Sequence, residues 1–241
     1  MFEALNSETL SSRVSRELIR SIVSGRFTPG ALLPTEEQFC SNFGVSRSVV
    51  REAMKTVTGL GMARSRQGQG TVVLPSTSWN NFSADLIQAR RDTGAIHDVL
   101  AEVLELRRIV EVQAAGLAAV RANDENLDRM ADLIEHMRAT VGDAAEFNRL
   151  DVQFHDEIFR ATSNHLIVSL FDLLHPVLYA AREVSVGSQP QRASMDQTVA
   201  EHVTILRRVR ESAVGLAQKA MEEHLDLSAA READAIRLSM I

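Results

Sequence analysis

The chain has 241 residues, of which 45% are hydrophobic, and its formal net charge is −6. This length allows one large core or two smaller ones, and a single cysteine, Cys40, excludes an internal disulfide. The N-terminal residues lack a basic segment followed by an apolar run, and no stretch of about 18 uncharged apolar residues occurs, so we expect neither a signal peptide nor a membrane span. We therefore expect a soluble, cytoplasmic protein with no membrane partner.

Charge is unevenly divided along the chain. Residues 1–75 hold 9 Lys and Arg against 6 Asp and Glu, a net charge of +3. Residues 76–241 hold 17 against 26, a net charge of −9. A mildly basic front and an acidic rear suggest two domains with different partners.

The basic front carries the pattern of three short helices and a hairpin. Apolar residues at 3.6-residue spacing predict a first helix that ends at Gly25, and Thr35 begins a Thr-x-x-Gln capping box for a second. Ser46 is expected to cap a third helix, which ends at Gly59 or Gly61. Apolar runs on both sides of RQGQG predict a two-stranded hairpin. This order is typical of a winged helix-turn-helix.

The acidic rear is predicted to be helical to its end. Turn-forming residues in LPSTSWNNF place a linker at residues 76–94, between a domain at 1–75 and a domain at 95–241. Sustained apolar spacing from about residue 95 predicts six or so helices in a globular bundle, and no strand pattern occurs there. The fold class is therefore mostly α: an N-terminal winged helix-turn-helix plus a C-terminal all-helical bundle.

The third helix carries the residues expected to contact DNA. In a helix-turn-helix the N-terminal turn of the second helix enters the major groove, where long cationic or small polar side chains are required. Arg47 and Arg51 lie at i and i+4, on one helical face, and arginine can bridge two acceptors on guanine. A solvated helix face is the alternative for these arginines. The predicted DNA-binding residues of this helix and the hairpin are Ser46, Arg47, Ser48, Arg51, Arg66, Gln67 and Gly68.

ALLPTEEQFCSNFGVSRSVVREAM resembles the DNA-binding domain of GntR-type bacterial transcription regulators. The matching residues are Leu33, Pro34, Glu36, Gly44 to Arg47, Arg51 to Ala53 and, in the hairpin, Arg66 to Gly70. The family commonly has an arginine where this chain has Glu37, so one DNA contact of the family is expected to be missing. The resemblance implies double-stranded DNA as a partner, and a homodimer is expected because one recognition helix contacts too few bases.

One carboxylate and three imidazoles form the second group of candidate residues. Asp151 and His155 lie at i and i+4 on one helical face, and His202 and His224 belong to later amphipathic helices. One oxygen and three nitrogens from three helices suit a divalent transition metal, with zinc first and nickel or manganese as alternatives. Each histidine, taken alone, could instead be a hydrogen-bonded core residue.

The second half of the chain resembles, over its whole length, the FadR-type C-terminal effector domain called FCD. In that all-helical domain an Asp-x-x-x-His pair and two later histidines commonly bind a metal, which implies the same role for the four residues above. ELRRIVE looks like the opening helix of that domain, and the resemblance assigns Arg107 to the carboxylate of an effector. An ion pair between Arg107 and Glu111 at i+4 is the alternative. Arg182 and Arg231 are further candidates for the rim of the pocket.

The two resemblances lead to a regulator, not an enzyme, as the first hypothesis. It is a ligand-responsive transcription regulator, a repressor, that binds a pseudo-palindromic operator as a dimer and a small carboxylate through a metal. Ser78, Trp79 and Asn80 are similar to members that respond to sugar acids. The alternatives are a metal-dependent enzyme acting on small acids and a constitutive DNA-binding protein with a structural metal.

Overall fold

The computed structural model describes residues 9–186 and 192–239, with side chains for 9–179 and 193–231. The chain divides into two compact units, Met1–His97 and Asp98–Ile241. Ten α-helices and one two-stranded sheet occur among the described residues, which confirms the predicted fold class. No helix in this part of the chain is long and apolar enough to cross a membrane.

Three helices form most of the first unit: α1 (Leu10–Val23), α2 (Glu36–Phe43) and α3 (Arg47–Gly59). At the start of α2 the Thr35 hydroxyl accepts from the backbone N–H of Gln38, and the Gln38 side chain accepts from that of Thr35, which confirms the predicted capping box. The helix α3 packs against α1 and α2. Its buried stripe of Val50, Ala53 and Val57 meets apolar residues of α1 in a common core.

The predicted hairpin is present as β1 (Ala63–Arg66) and β2 (Gly70–Val73). The strands are antiparallel, with Ala63 opposite Val73 and Arg66 opposite Gly70. Leu32, which precedes α2, forms an isolated bridge with Val72 and so ties the hairpin to the helical part of the unit.

Residues 76–94, predicted as a linker, are largely folded. They hold a 3₁₀ turn (Ser76–Ser78) and a further helix, α4 (Ala84–Thr93), which packs on α1. Leu86 and Ala89 of α4 belong to the core of the first unit, and Trp79 packs against it. The sequence pattern missed this helix because so short an apolar stripe follows directly on turn-forming residues.

The second unit contains six helices among its described residues. They are α5 (His97–Arg121), α6 (Asp124–Ala139), α7 (Ala144–Ala161), α8 (His165–Val186), α9 (Arg192–Arg210) and α10 (Val214–Ser239). The helix α6 packs on α7 and α9, while α8 packs on α7 and α10. Contacts of α5 reach the end of α7, where Arg121 donates to the carbonyl of the C-cap residue Thr162, and α10, where Gln218 donates to Gln113. The middle of this bundle receives side chains from α5, α7, α9 and α10.

Candidate metal centre and nucleic-acid interface

The N-terminal turn of α3 presents small polar and cationic side chains to solvent. Ser46, Arg47 and Ser48 are all exposed. Ser46 occupies the N-cap position with extended backbone angles, but its side chain makes no capping hydrogen bond. Its hydroxyl instead lies 2.9 Å from that of Ser48. The prediction that Ser46 is the N-cap residue is confirmed, but the predicted capping hydrogen bond is wrong.

Arg51, one turn further along α3, is paired with the neighbouring helix. Its Nε donates to Oε2 of Glu36 at 2.9 Å, and the two side chains are 62% and 45% exposed. A pair so exposed contributes between zero and about 1 kcal/mol, so a phosphate can replace the carboxylate at little cost.

The tip of the hairpin carries the other predicted DNA contacts. Arg66, Gln67 and Gly68 are exposed, and Gly68 has a φ of +73°, in the left-handed region that favours glycine. The backbone N–H of Gln69 donates to the carbonyl of Arg66 and closes the turn. Their role in DNA binding stays a prediction.

The four residues predicted to bind metal come together in the middle of the bundle. Asp151 and His155 project from α7, His202 from α9 and His224 from α10. One ligand atom from each lies within 4.8 Å of the others, and all four residues are buried. Nε2 of His202 lies 3.3 Å from Oδ1 of Asp151.

The donor set fits a divalent transition metal. Bonds of about 2.1 Å in a tetrahedron place the ligand atoms about 3.4 Å apart, close to the separation of His202 and Asp151 and reachable by small shifts of the others. Nε2 of His224 is buried and has no hydrogen-bond partner among the described residues. A buried imidazole nitrogen of this kind carries a desolvation penalty that a metal would remove.

Glu111 of α5 contacts the cluster from one side. Its Oε2 lies 2.5 Å from Nδ1 of His155, and its Oε1 accepts from Nε of Arg107 at 2.6 Å. Glu111 and Arg107 are 0% and 1% exposed. The ion pair that the sequence offered as the alternative for Arg107 is therefore present, and the contact of Arg107 with an effector stays a prediction.

Glu201 of α9 contacts another ligand of the cluster, His224. Its Oε2 lies 2.8 Å from Nδ1 of His224, and both of its oxygens accept from Arg231, at 2.9 and 3.0 Å. Burial raises the pKa of Glu201, but the hydrogen bonds from His224 and Arg231 outweigh it, so the pKa is lowered and the carboxylate stays ionised. Arg231 thus lies beside the cluster, while the side chain of Arg182 lies outside the described residues.

Sequence reasoning did not connect three buried or half-buried polar residues, Glu201, Glu111 and Asn148, with the candidate metal centre. Glu201 immediately precedes a ligand histidine, but its pairing with a residue 30 positions away left no local signal. Glu111 was considered only as a partner of Arg107. Asn148 lies three residues before Asp151 on the same face of α7, is 3% exposed, and its side-chain N–H₂ has no hydrogen-bond partner among the described residues.

Comparison with known families agrees with this architecture. Residues 10–73 match the model of bacterial regulatory proteins of the gntR family. Residues 102–227 match the FCD domain, and this match alone spans more than half of the chain. The gntR model describes regulatory proteins, and the relatives are transcription regulators rather than enzymes, as the sequence predicted.

Individual relatives are of the same kind. The galactonate operon transcriptional repressor of Escherichia coli is 26% identical, over 83% of this chain and 86% of its own. The HTH-type transcriptional regulator YieP of Escherichia coli is 32% identical, over 71% of this chain and 76% of its own. A solved structure of Lar, described as controlling the expression of the Listeria monocytogenes agr system, is similar in fold. Its TM-score is 0.63 at 20% identity, and the match covers 97% of this chain and 99% of Lar.

Proposed function

Because the chain belongs to the gntR family of bacterial regulatory proteins and carries an FCD domain, we propose that it is a cytoplasmic repressor whose affinity for DNA responds to a small carboxylate. The proposal that the chain represses rather than activates transcription is supported by its similarity to the galactonate operon repressor. The two half-sites of a pseudo-palindromic operator would each receive one recognition helix of a homodimer.

The DNA side of the proposal rests on α3 and the hairpin. Arg47 is exposed at the first position of α3, where a guanidinium can reach the O6 and N7 acceptors of guanine. We expect the hydroxyls of Ser46 and Ser48 to accompany it with contacts to phosphate oxygens. The net charge of the basic front is only +3, so we expect weak nonspecific binding that falls steeply with salt.

The effector side is carried by one observation, the buried cluster of Asp151, His155, His202 and His224. A divalent cation held there would supply a position that attracts carboxylate and hydroxyl oxygens. The unpartnered amide of Asn148, on the same helical face as the α7 ligands, supports a polar ligand beside the cation. The name of the galactonate operon repressor supports a sugar acid or hydroxy acid as the ligand class.

The enzyme hypothesis is excluded by the family, and a carboxylate that follows the metal-ligand pair on α7 has another partner. Glu157 follows the α7 ligands, but its Oε1 accepts from Nδ2 of Asn126 on α6 at 2.7 Å. Glu157 therefore joins α6 to α7 through this hydrogen bond and is not a base for the cluster. The constitutive DNA-binding protein with a structural metal remains the alternative that the experiment must separate.

Thermal unfolding against a panel of acids tests the effector proposal. A ligand that binds only the native state raises the midpoint of unfolding. We expect sugar acids or hydroxy acids to raise it, and we expect chelator or His202→Ala to abolish that shift. His136→Ala, which changes an exposed histidine of α6, is the matched control and should behave as the wild type. Bound metal without a shift from any acid would favour the structural metal instead.

A further inference from the structure

We propose that Glu201, held in place by Arg231, orients His224 for metal binding, and that Glu111, held by Arg107, does the same for His155. These two carboxylates are positioning residues and not ligands. The inference rests on the proposed metal site, and it names residues that determine how tightly that site binds.

The hydrogen bond between Glu201 and His224 fixes which nitrogen faces the cluster. In its neutral form an imidazole carries one N–H, and the other nitrogen is free to bind a metal. A carboxylate accepts but cannot donate, so Nδ1 of His224, at 2.8 Å from Glu201, must carry the proton. Nε2 is then left with its lone pair, and this is the buried atom that lacks a hydrogen-bond partner among the described residues.

Arg231 fixes the carboxylate itself. Its two terminal nitrogens donate to the two oxygens of Glu201, a bidentate geometry that holds the carboxylate plane. Glu201 lies on α9 directly before His202, whereas Arg231 lies on α10, two turns beyond His224. One carboxylate therefore ties together the two helices that provide two of the four ligands.

His155 also has a glutamate beside it that is held by an arginine, but here both residues come from α5. Glu111 lies 2.5 Å from Nδ1 of His155, and Arg107, one turn earlier on α5, donates to the other oxygen of Glu111. His155 and His224 are thus each contacted by a glutamate through Nδ1. Carboxylates in this position fix the ring and raise its basicity, and their removal typically lowers metal affinity 10- to 100-fold.

The test is the zinc affinity of the full-length chain, measured by competition with a chromophoric chelator. We expect Glu201→Gln, which keeps the shape but removes the charge, to weaken zinc binding roughly 10- to 100-fold. Arg231→Met should weaken it in the same direction but less. Glu223→Gln, which changes an exposed residue beside His224, is the matched control and should leave the affinity unchanged.

A second measurement identifies which ring nitrogen of each histidine carries the proton, and it does not depend on the stability of the variants. In zinc-free wild-type protein labelled with ¹⁵N-histidine, we expect neutral His224 and His155 to carry the proton on Nδ1. A proton on Nε2 of His224, or a Glu201→Gln affinity equal to that of the control, would overturn the inference while leaving the metal site intact. A wild-type protein that binds no zinc would overturn the proposed metal site together with it.

Discussion

We expect that breaking the buried ion pair between Arg107 and Glu111 will strongly lower the stability of the second unit. The side chains are 1% and 0% exposed, and Nε of Arg107 donates to Oε1 of Glu111 at 2.6 Å. Arg107→Met keeps the length of the side chain but leaves a buried carboxylate without its arginine. Breaking a buried pair from one side costs about 3–5 kcal/mol. For a domain of this size, such a loss lowers the midpoint of thermal unfolding by roughly 10 °C.

The next residue along α5 provides the control. Arg108 is 49% exposed and pairs with Glu222 and Asp226 on α10, so Arg108→Met should cost less than about 1 kcal/mol. Calorimetry of the two variants and the wild type, all in chelator, compares the unfolding of the second unit. If the two variants unfold within 2 °C of each other, Arg107 is not committed to Glu111, and its guanidinium must be placed elsewhere in the absence of metal.

Three further predictions concern other parts of the chain. Arg47→Ala should weaken binding to a DNA fragment selected by the wild-type protein by about 1–3 kcal/mol, measured by fluorescence anisotropy. Gly61→Ala should destabilise the first unit by at least about 2 kcal/mol in urea unfolding, because Gly61 has a φ of +70° and a Cβ there would lie 2.2 Å from the carbonyl oxygen of Ser78. Asn148→Leu should abolish the ligand-induced thermal shift while leaving the stability of the ligand-free protein equal or higher, because it removes an unpartnered buried amide.

Each of these predictions has a matched comparison. Arg13→Ala changes an exposed arginine of α1 and should leave DNA affinity within about twofold; an equal loss from both variants would mean that Arg47 contributes only charge. Gly59→Ala adds a Cβ that meets nothing within 4 Å, so its effect should stay below about 1 kcal/mol. An Asn148→Leu protein that still responds to the ligand would remove Asn148 from the effector site.

Much of the fold and of the candidate site could be predicted from the spacing of residues that are close in the sequence. The capping box at Thr35 and the pair of Asp151 and His155 depend on residues three or four positions apart, which a helix brings together whatever its surroundings. His202 and His224 reach that pair only because of how α9 and α10 pack. The sequence predicted this contact only through its resemblance to the FCD domain.

Long-range packing decided the features that the sequence did not reveal. The helix α4 has few apolar residues and follows a run of turn formers, yet its docking on α1 buries them. Glu201 and Arg231 are 30 residues apart on two helices, so their pairing has no pattern in either segment. Ser46 kept its place at the start of α3 but not its bonding, because the nearby hydroxyl of Ser48 competes for it.

The most direct test of the central claim is the affinity for DNA measured with and without a sugar acid, each with and without chelator. The ligand can change DNA binding only if it binds one state of the protein better than another. We expect the acid that raises the unfolding midpoint to change the dissociation constant for a selected DNA fragment at least fivefold, and chelator to remove that change. An equal dissociation constant under all four conditions, for every acid that binds, would contradict a metal-centred sensor of small carboxylates.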